Sequence, residues 1–287
     1  MQVWQVGLDI QENGFYSLAV QRQRYGWQLR HWGYQPIATV QNQGASSVIP
    51  QQVISALKQW RQKLPKRVSV RMALPAGSIL QQSIPMPAPP LSLQEQSWLV
   101  DASLNKLFPL AAKELAIDYR VLDYPESAGR VNQSIVVSAA RRSEVDGWLQ
   151  ALAEADIFPE IIDTAPCVLR SMAQLAGVAD NSLLFHQLPR QFLLVSPLEH
   201  AFLYRLMPNE LMTCAERIES ARQLYLLAGG ERVQQVCYSG VDDGEGLPPS
   251  VDYWSPLVAI RQMSPPLPDT PHQWVLACGL ALRQEDL

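Results

Sequence analysis

Nowhere in the 287 residues does an apolar run approach the roughly 20 residues that a bilayer-spanning helix needs; the longest stretch is Trp274 to Leu282. The start, Met1-Gln2-Val3-Trp4-Gln5, carries neither a basic segment nor a small-residue cleavage site, so a cytoplasmic, soluble chain is expected. Cysteine is scarce. Cys167, Cys214, Cys237 and Cys278 lie in separate apolar contexts with no Cys-x-x-Cys spacing, which argues against zinc and a disulfide framework and predicts four buried structural thiols. The four histidines are spread widely, no helix offers a His-x-x-x-His pair, and no Gly-x-Ser-x-Gly elbow anchors a hydrolase triad. Glu154 and Asp156 sit at a helix end and read as solvated charges. No catalytic constellation is present, and no cofactor or metal is expected. Asp242-Asp243-Gly244-Glu245-Gly246 lacks the Asp-x-Asp-x-Asp-Gly spacing of a calcium loop.

What is present is apolar residue, 47% against 17% charged, enough for one large or two ordinary domains with a real core. The formal charge of −4 hides an asymmetry, because residues 1–74 hold nine Lys/Arg and two Asp/Glu. Lys58, Arg61, Lys63 and Lys66, followed by Arg67 and Arg71, concentrate that excess around one helix and the strand after it. Such a patch is either a solvated helix face or a surface drawn to an anionic leaflet or to nucleic acid. Aromatic interleaving at Trp27, Trp32, Tyr34 and Trp60 supports the nucleic-acid alternative.

The pattern along the chain predicts one unit twice. Gln2 to Asp9, Phe15 to Gln23 and Trp27 to Pro36 are strand-like, Pro50 to Lys63 is a helix burying Val53, Leu57, Trp60 and Leu64, and Arg67 to Leu74 returns as a strand. The order β-β-β-α-β recurs in Asn181 to Gln187, Gln191 to Ser196, Glu199 to Leu206, the helix Cys214 to Leu227 and Arg232 to Tyr238. Between them a strand over Ile79 to Met86, a helix over Leu93 to Leu107 and strands over Ala116 to Leu122 and Asn132 to Ala140 form a β-α-β-β insert. A helix from Arg142 to Ala155, with Val145, Trp148, Leu149 and Leu152 in register, then leads to a strand over Pro159 to Asp163 and a helix over Ala165 to Leu175. Duplicated α/β units imply a cleft between the copies.

Val6 to Gly14 has the outline of an actin-family phosphate loop, in which a first strand ends in Asp-X-Gly so that backbone N–H groups can approach phosphates. Here Asp9 is retained and the glycine position is Gln11; an ordinary hairpin turning at Asn13-Gly14 is the alternative. Gly7-Leu8-Asp9-Ile10, Ala73-Leu74-Pro75 with Ile84-Pro85-Met86-Pro87, Ser138-Ala139-Ala140-Arg141, Ala155 to Pro159 running into Asp163, and Ala277 to Arg283 together resemble the PilM family of type IV pilus assembly and competence proteins, in particular its shorter HofM-type DNA-utilisation branch.

The resemblance implies an actin-like α/β fold: RNase H-like, duplicated, with an inserted small domain of the kind found in FtsA. The expected division is 1–75 first unit, 76–140 inserted domain, 141–178 return segments of the first half, and 179–287 second unit. It also implies a scaffold of an assembly platform that binds the cytoplasmic N-terminal tail of a PilN-like single-span inner-membrane protein, peripheral to that membrane and without direct nucleic-acid binding. The departures are Gln11, the run Phe185 to Arg190 at the second phosphate loop, and Cys237-Tyr238-Ser239-Gly240 at the adenosine loop. Only Met207 to Thr213 connects Leu206 to Cys214, where the family has a helical subdomain walling the adenine pocket. A nucleotide-free scaffold is the leading expectation, and a working ATPase using Asp9 is its rival. Gly229-Gly230, after Leu226-Leu227-Ala228, reads as a helix C-terminal signal rather than a nucleotide loop. The tail site is expected where the insert meets the first unit. Trp98, on the opposite face of its helix from the stripe Leu93, Val100, Leu104 and Leu107, is the leading wall candidate, with Met86 and Phe108 behind it.

Overall fold

The computed structural model describes residues 3–37, 49–126, 130–209, 212–242, 244–263 and 266–284. The first unit is β1 (Trp4–Gln11), β2 (Gly14–Gln23), β3 (Gly26–Pro36), α1 (Gln51–Arg61) and β4 (Val68–Leu74). The insert is β5 (Ile79–Pro85), α2 (Leu93–Leu107), β6 (Leu115–Glu126) and β7 (Arg130–Arg141), after which α3 (Arg142–Glu154), β8 (Pro159–Thr164) and α4 (Ala165–Leu175) return to the first sheet. The second unit is β9 (Leu183–Gln187), β10 (Gln191–Val195), β11 (Tyr204–Pro208), α5 (Cys214–Leu227), β12 (Val236–Gly240) and β13 (Val251–Tyr253), followed by β14 (Gln262–Met263) and α6 (Val275–Leu282).

The first sheet runs β14-β3-β2-β1-β4-β8 and the second β11-β10-β9-β12-β13. Apart from β14, each has its own strands in the order 3-2-1-4-5, the first three antiparallel and the last two parallel. The duplication expected from the sequence is therefore a duplication of topology. Strand alternation decides the layers. On β1, Val6, Leu8 and Ile10 pack under α1 and α3, whereas Gly7 faces α6. The central core of α4 and α6 lies between the two sheets, and α5 covers the far face of the second.

α6 is the sequence's longest apolar run, and all eight of its residues are buried. A helix apolar on every side needs apolar neighbours all round, and the space between two sheets supplies them. Two glycines admit it: a Cβ at Gly7 would lie 1.9 Å from the Ala277 carbonyl oxygen, and one at Gly279 2.8 Å from Val168 Cγ1. Among the described residues no helix is long and apolar enough to cross a membrane.

α2, α4 and α5 occupy the predicted ranges, α2 and α5 each opening on a capping box, Ser92 with Glu95 and Thr213 with Glu216. Three burial expectations fail. Leu93, in the first turn, is 79% exposed, and Gln96 is buried instead, donating to the Leu91 carbonyl. Leu149 is likewise exposed, and Ala151 fills its place under the sheet. Cys167 is only half-buried, unlike the other three thiols. The third strand of the second unit starts at Tyr204 rather than Glu199. The Arg170 guanidinium explains the delay: it collects the Ser196, Leu198 and His200 carbonyls and holds that segment as a loop. At the end of α5, Gly229 adopts φ +87° and its N–H bonds the Leu226 carbonyl, the helix-terminating role read from the sequence.

Candidate functional site

The β1–β2 and β9–β10 turns face each other across a cleft of about 560 Å³, floored by Ala73 to Ser78 and Ala165 and walled by Trp148. Asp9, two residues before the end of β1, lies inside it, 5% exposed, and burial raises its pKa to about 6 even though the Gln11 amide donates to its Oδ2 at 2.8 Å. The side chain at the lost glycine position thus lies back on the retained aspartate. Glu12, next on the turn, pairs with Arg190 of the opposite turn at 3.2 Å. Gln187 closes the second turn upon itself, its amide donating to the Leu188 and Gln191 carbonyls.

A triphosphate needs unhindered N–H donors and cations at this point. Instead it would meet Asp9, Glu12 and Glu144, with Arg190 already engaged. Among the described residues the Gln11 Oε1 and Glu144 Oε2 atoms are buried without partners, so that Gln11 adds one more acceptor facing any anion. These residues do not fit a nucleotide phosphate. In the second unit β11 ends at Pro208 and α5 begins at Cys214, with residues 210 and 211 of the link outside the described residues. Beside the cleft, His186 on β9 bonds the Ser239 hydroxyl through Nδ1 at 2.9 Å, and burial, with His272 nearby, lowers its pKa to about 3. Among the described residues no group of three His, Cys, Asp or Glu could hold a metal; Asp243 lies outside them.

The second feature is a groove of about 170 Å³ where the insert meets the first unit. The three-stranded sheet β5-β7-β6 buries Ile135, Val137 and Ala139 under α2 and turns Val136, Ser138 and Ala140 the other way. That second face looks onto Leu74, Val145, Ile162 and Cys167, and five consecutive residues of the edge strand β6, Ala116 to Arg120, border it. Asp163, buried on β8, organises the junction. It accepts from Arg120 of the insert at 3.2 Å, from Arg283 after α6 at 2.8 Å and from the Thr164 N–H at 2.7 Å. One carboxylate therefore ties three distant parts of the chain.

None of the three predicted wall residues lines this groove. α2 covers the opposite face of the inserted sheet, so Trp98, although 60% exposed as its helical position predicts, points away from the junction. Phe108 is 4% exposed in the core of the insert and offers no surface to a partner. Met86 packs half-buried against the same core. The signal for the groove was strand parity on β7, where Val136, Ser138 and Ala140 alternate with the core residues.

The basic patch also divides. Lys58, Lys63 and Lys66 are exposed, but Arg61 donates to the Asp156, Pro65 and Lys66 carbonyls and so fixes the turn before β4. Arg71 is 1% exposed and bonds Gln5 and the Ala281 carbonyl at the end of α6. The aromatic series is not an open stacking platform: Trp60 is buried, Trp32 packs edge-on against Trp274, and Tyr34 packs against Tyr16.

Two β-β-β-α-β units of one topology, helices between their sheets, and a cleft between paired hairpin turns define the actin-like fold. The profile of the type IV pilus assembly protein PilM family matches residues 7–183, more than half of the chain, and the chain belongs to this family. It is 28% identical over 153 residues to the DNA utilization protein HofM of Escherichia coli (strain K12), covering 53% of this chain and 56% of that one. The match thus spans little more than half the length of this curated relative. The PilM-PilN type IV pilus biogenesis complex contains a chain that superposes with a TM-score of 0.71 at 18% identity, over 96% of this chain and 97% of that one. The cytoplasmic domain of EpsL, an inner-membrane component of the type II secretion system of Vibrio cholerae, superposes with a TM-score of 0.54 at 14% identity, over 98% and 95%.

Proposed function

We infer that this chain is a scaffold of a type IV pilus-like or DNA-uptake assembly platform and works without hydrolysing nucleotide. It takes the cytoplasmic N-terminal tail of a PilN-like single-span protein and so sits at the inner membrane. The observation that carries the first part is Gln11 lying on Asp9 with Glu12 beside it, which fills the phosphate position with side chain and negative charge. The tail site belongs in the groove between β6 and β8. A segment that is disordered when free must offset its ordering cost, and a preformed apolar channel beside an open strand edge supplies both side-chain pockets and backbone partners. β6 is the edge of its sheet and runs along the groove.

The experiment is a titration of the partner's N-terminal peptide against two single variants. Ala116→Trp fills the groove from a half-buried position on β6 and should weaken binding by an anchor-sized amount, on the order of 2 kcal/mol. Trp98→Ala should leave binding and melting temperature unchanged. The reverse pattern moves the tail to the outer face of α2 and removes the groove from the proposal.

A further inference from the structure

We propose that the end of the first sheet where β1, β4 and β8 begin is a membrane-binding face that rests directly on an anionic lipid leaflet. Strand register brings its residues together. Trp4 pairs with Val68, Val70 with Pro159, and Gln23 with Gly26. Val3, the β2–β3 turn, the Lys66-Arg67 approach to β4 and Phe158 ahead of β8 therefore share one rim. With strands about 4.8 Å apart, the rim from β2 to β8 is roughly 15 Å long. A shallow bowl of about 500 Å³ lined by Val3, Gln5, Arg22, Arg24, Ser69 and Glu160 crosses the same strands.

The rim combines two features, exposed aromatic rings and a cluster of cations. Tyr25 and Phe158 are 66% and 69% exposed at its two ends, with Val3, 43% exposed, between them. Exposed cations surround them: Arg22, Arg24, Lys66, Arg67 and Arg261, the last lying over Gly26 at the same turn. Against these five stand Asp156 and Glu160, and Glu160 accepts from the Ser69 hydroxyl. Aromatic side chains prefer the headgroup level of a bilayer, and each basic residue near an anionic surface adds attraction of about 1 kcal/mol.

A nucleic acid suits the rim less well. Arg24 lies over one face of the Tyr25 ring at 5.5 Å and Arg22 over one face of the half-buried Trp27 ring at 5.4 Å, which leaves at most one face of each for a base to stack on. This face is separate from the tail groove and binds without the partner. It also differs from the exposed lysines Lys58 and Lys63 on and just after α1.

The test is co-sedimentation of the full chain with phosphatidylcholine vesicles, with and without phosphatidylglycerol, at about 0.1 M salt, where screening acts over roughly 10 Å. The wild type should bind only the anionic vesicles. Replacing Arg22, Arg24, Lys66 and Arg67 with Gln should weaken that binding at least a hundredfold, since each charge is worth about fivefold. Tyr25→Ser with Phe158→Ser should weaken it at least tenfold at unchanged charge, and Lys58→Gln with Lys63→Gln should change it less than either. All substituted side chains are exposed, and equal melting temperatures certify the fold. Absence of binding to anionic vesicles, equal binding to neutral ones, or a loss confined to the Lys58 and Lys63 variant overturns the proposal. Salt-sensitive binding to DNA but not to vesicles reassigns the rim to nucleic acid.

Discussion

Asp9 shows how a retained residue changes its meaning when its neighbour changes. A carboxylate near the end of β1 ordinarily has water or a metal to support its charge, but among the described residues it has one side-chain donor, the Gln11 amide, and little solvent. Its pKa rises from 3.8 to about 6, so the folded protein holds this proton more tightly than the unfolded chain does. The contribution of Asp9 to stability is thus fully favourable below pH 4 and is lost as pH rises through 6. Asp9→Asn removes the buried charge and should raise unfolding free energy by on the order of 3 kcal/mol at pH 8 and by almost nothing at pH 3.5. Urea unfolding at the two pH values measures this, and a destabilised variant at pH 8 would falsify the assignment of Asp9 as an uncompensated group. His186 acts with the opposite sign: its depressed pKa supplies stability above pH 6.5 that is lost as pH falls toward 3.

At the scale of elements, α6 bears the heaviest packing demand. It touches β1, β2, β4 and α4, and its approach to β1 is closer than any side chain allows. Gly7→Ala should therefore cost more than about 2 kcal/mol, at the upper end of overpacking effects, because the obstacle is the Ala277 carbonyl and not a mobile side chain. Gly246→Ala, with nothing within 4 Å of the added Cβ, is the control and should lie within about 0.5 kcal/mol of wild type. Equal melting temperatures for the two variants would mean that α6 can shift away from the sheet. The insert behaves differently: α2 and its three-stranded sheet have a core of their own, and Arg120 joins them to the body through Asp163.

At the scale of the whole molecule, the question is what the cleft between the two units can still do. On the proposed reading, Gln11 at the glycine position of the loop, the Glu12–Arg190 pair and a link of only residues 209–213 between β11 and α5 all act against a nucleotide from different sides. A ligand present at 100 times its dissociation constant would add about 2.7 kcal/mol of apparent stability. Millimolar Mg-ATP should leave the melting temperature where it was, and a rise of several degrees would restore the ATPase reading with Asp9 at its centre. The Glu12–Arg190 pair joins the units but is half exposed, so it contributes at most about 1 kcal/mol and does not by itself lock the cleft.

Much of this architecture was legible in the chain because it depends on periodicity and local stop signals. Three helices stand in their predicted ranges because a buried stripe, a capping residue or a following glycine is written within a few positions of each. The duplicated order and the altered loops were equally readable. What tertiary structure alone decided is the use of each side chain. Phe108 became core because it packs with Leu104, Leu115 and Ile135 while Leu93 stayed on the surface, and Arg61 and Arg71 left the surface patch because backbone carbonyls 95 and 210 positions away needed donors. The groove arises because Val136, Ser138 and Ala140 face β8 while α2 occupies the other side. The cationic rim likewise exists only because strand register aligns residues from four separate segments. Local sequence determines which elements form; what they meet depends on packing between segments too far apart for any local pattern to record.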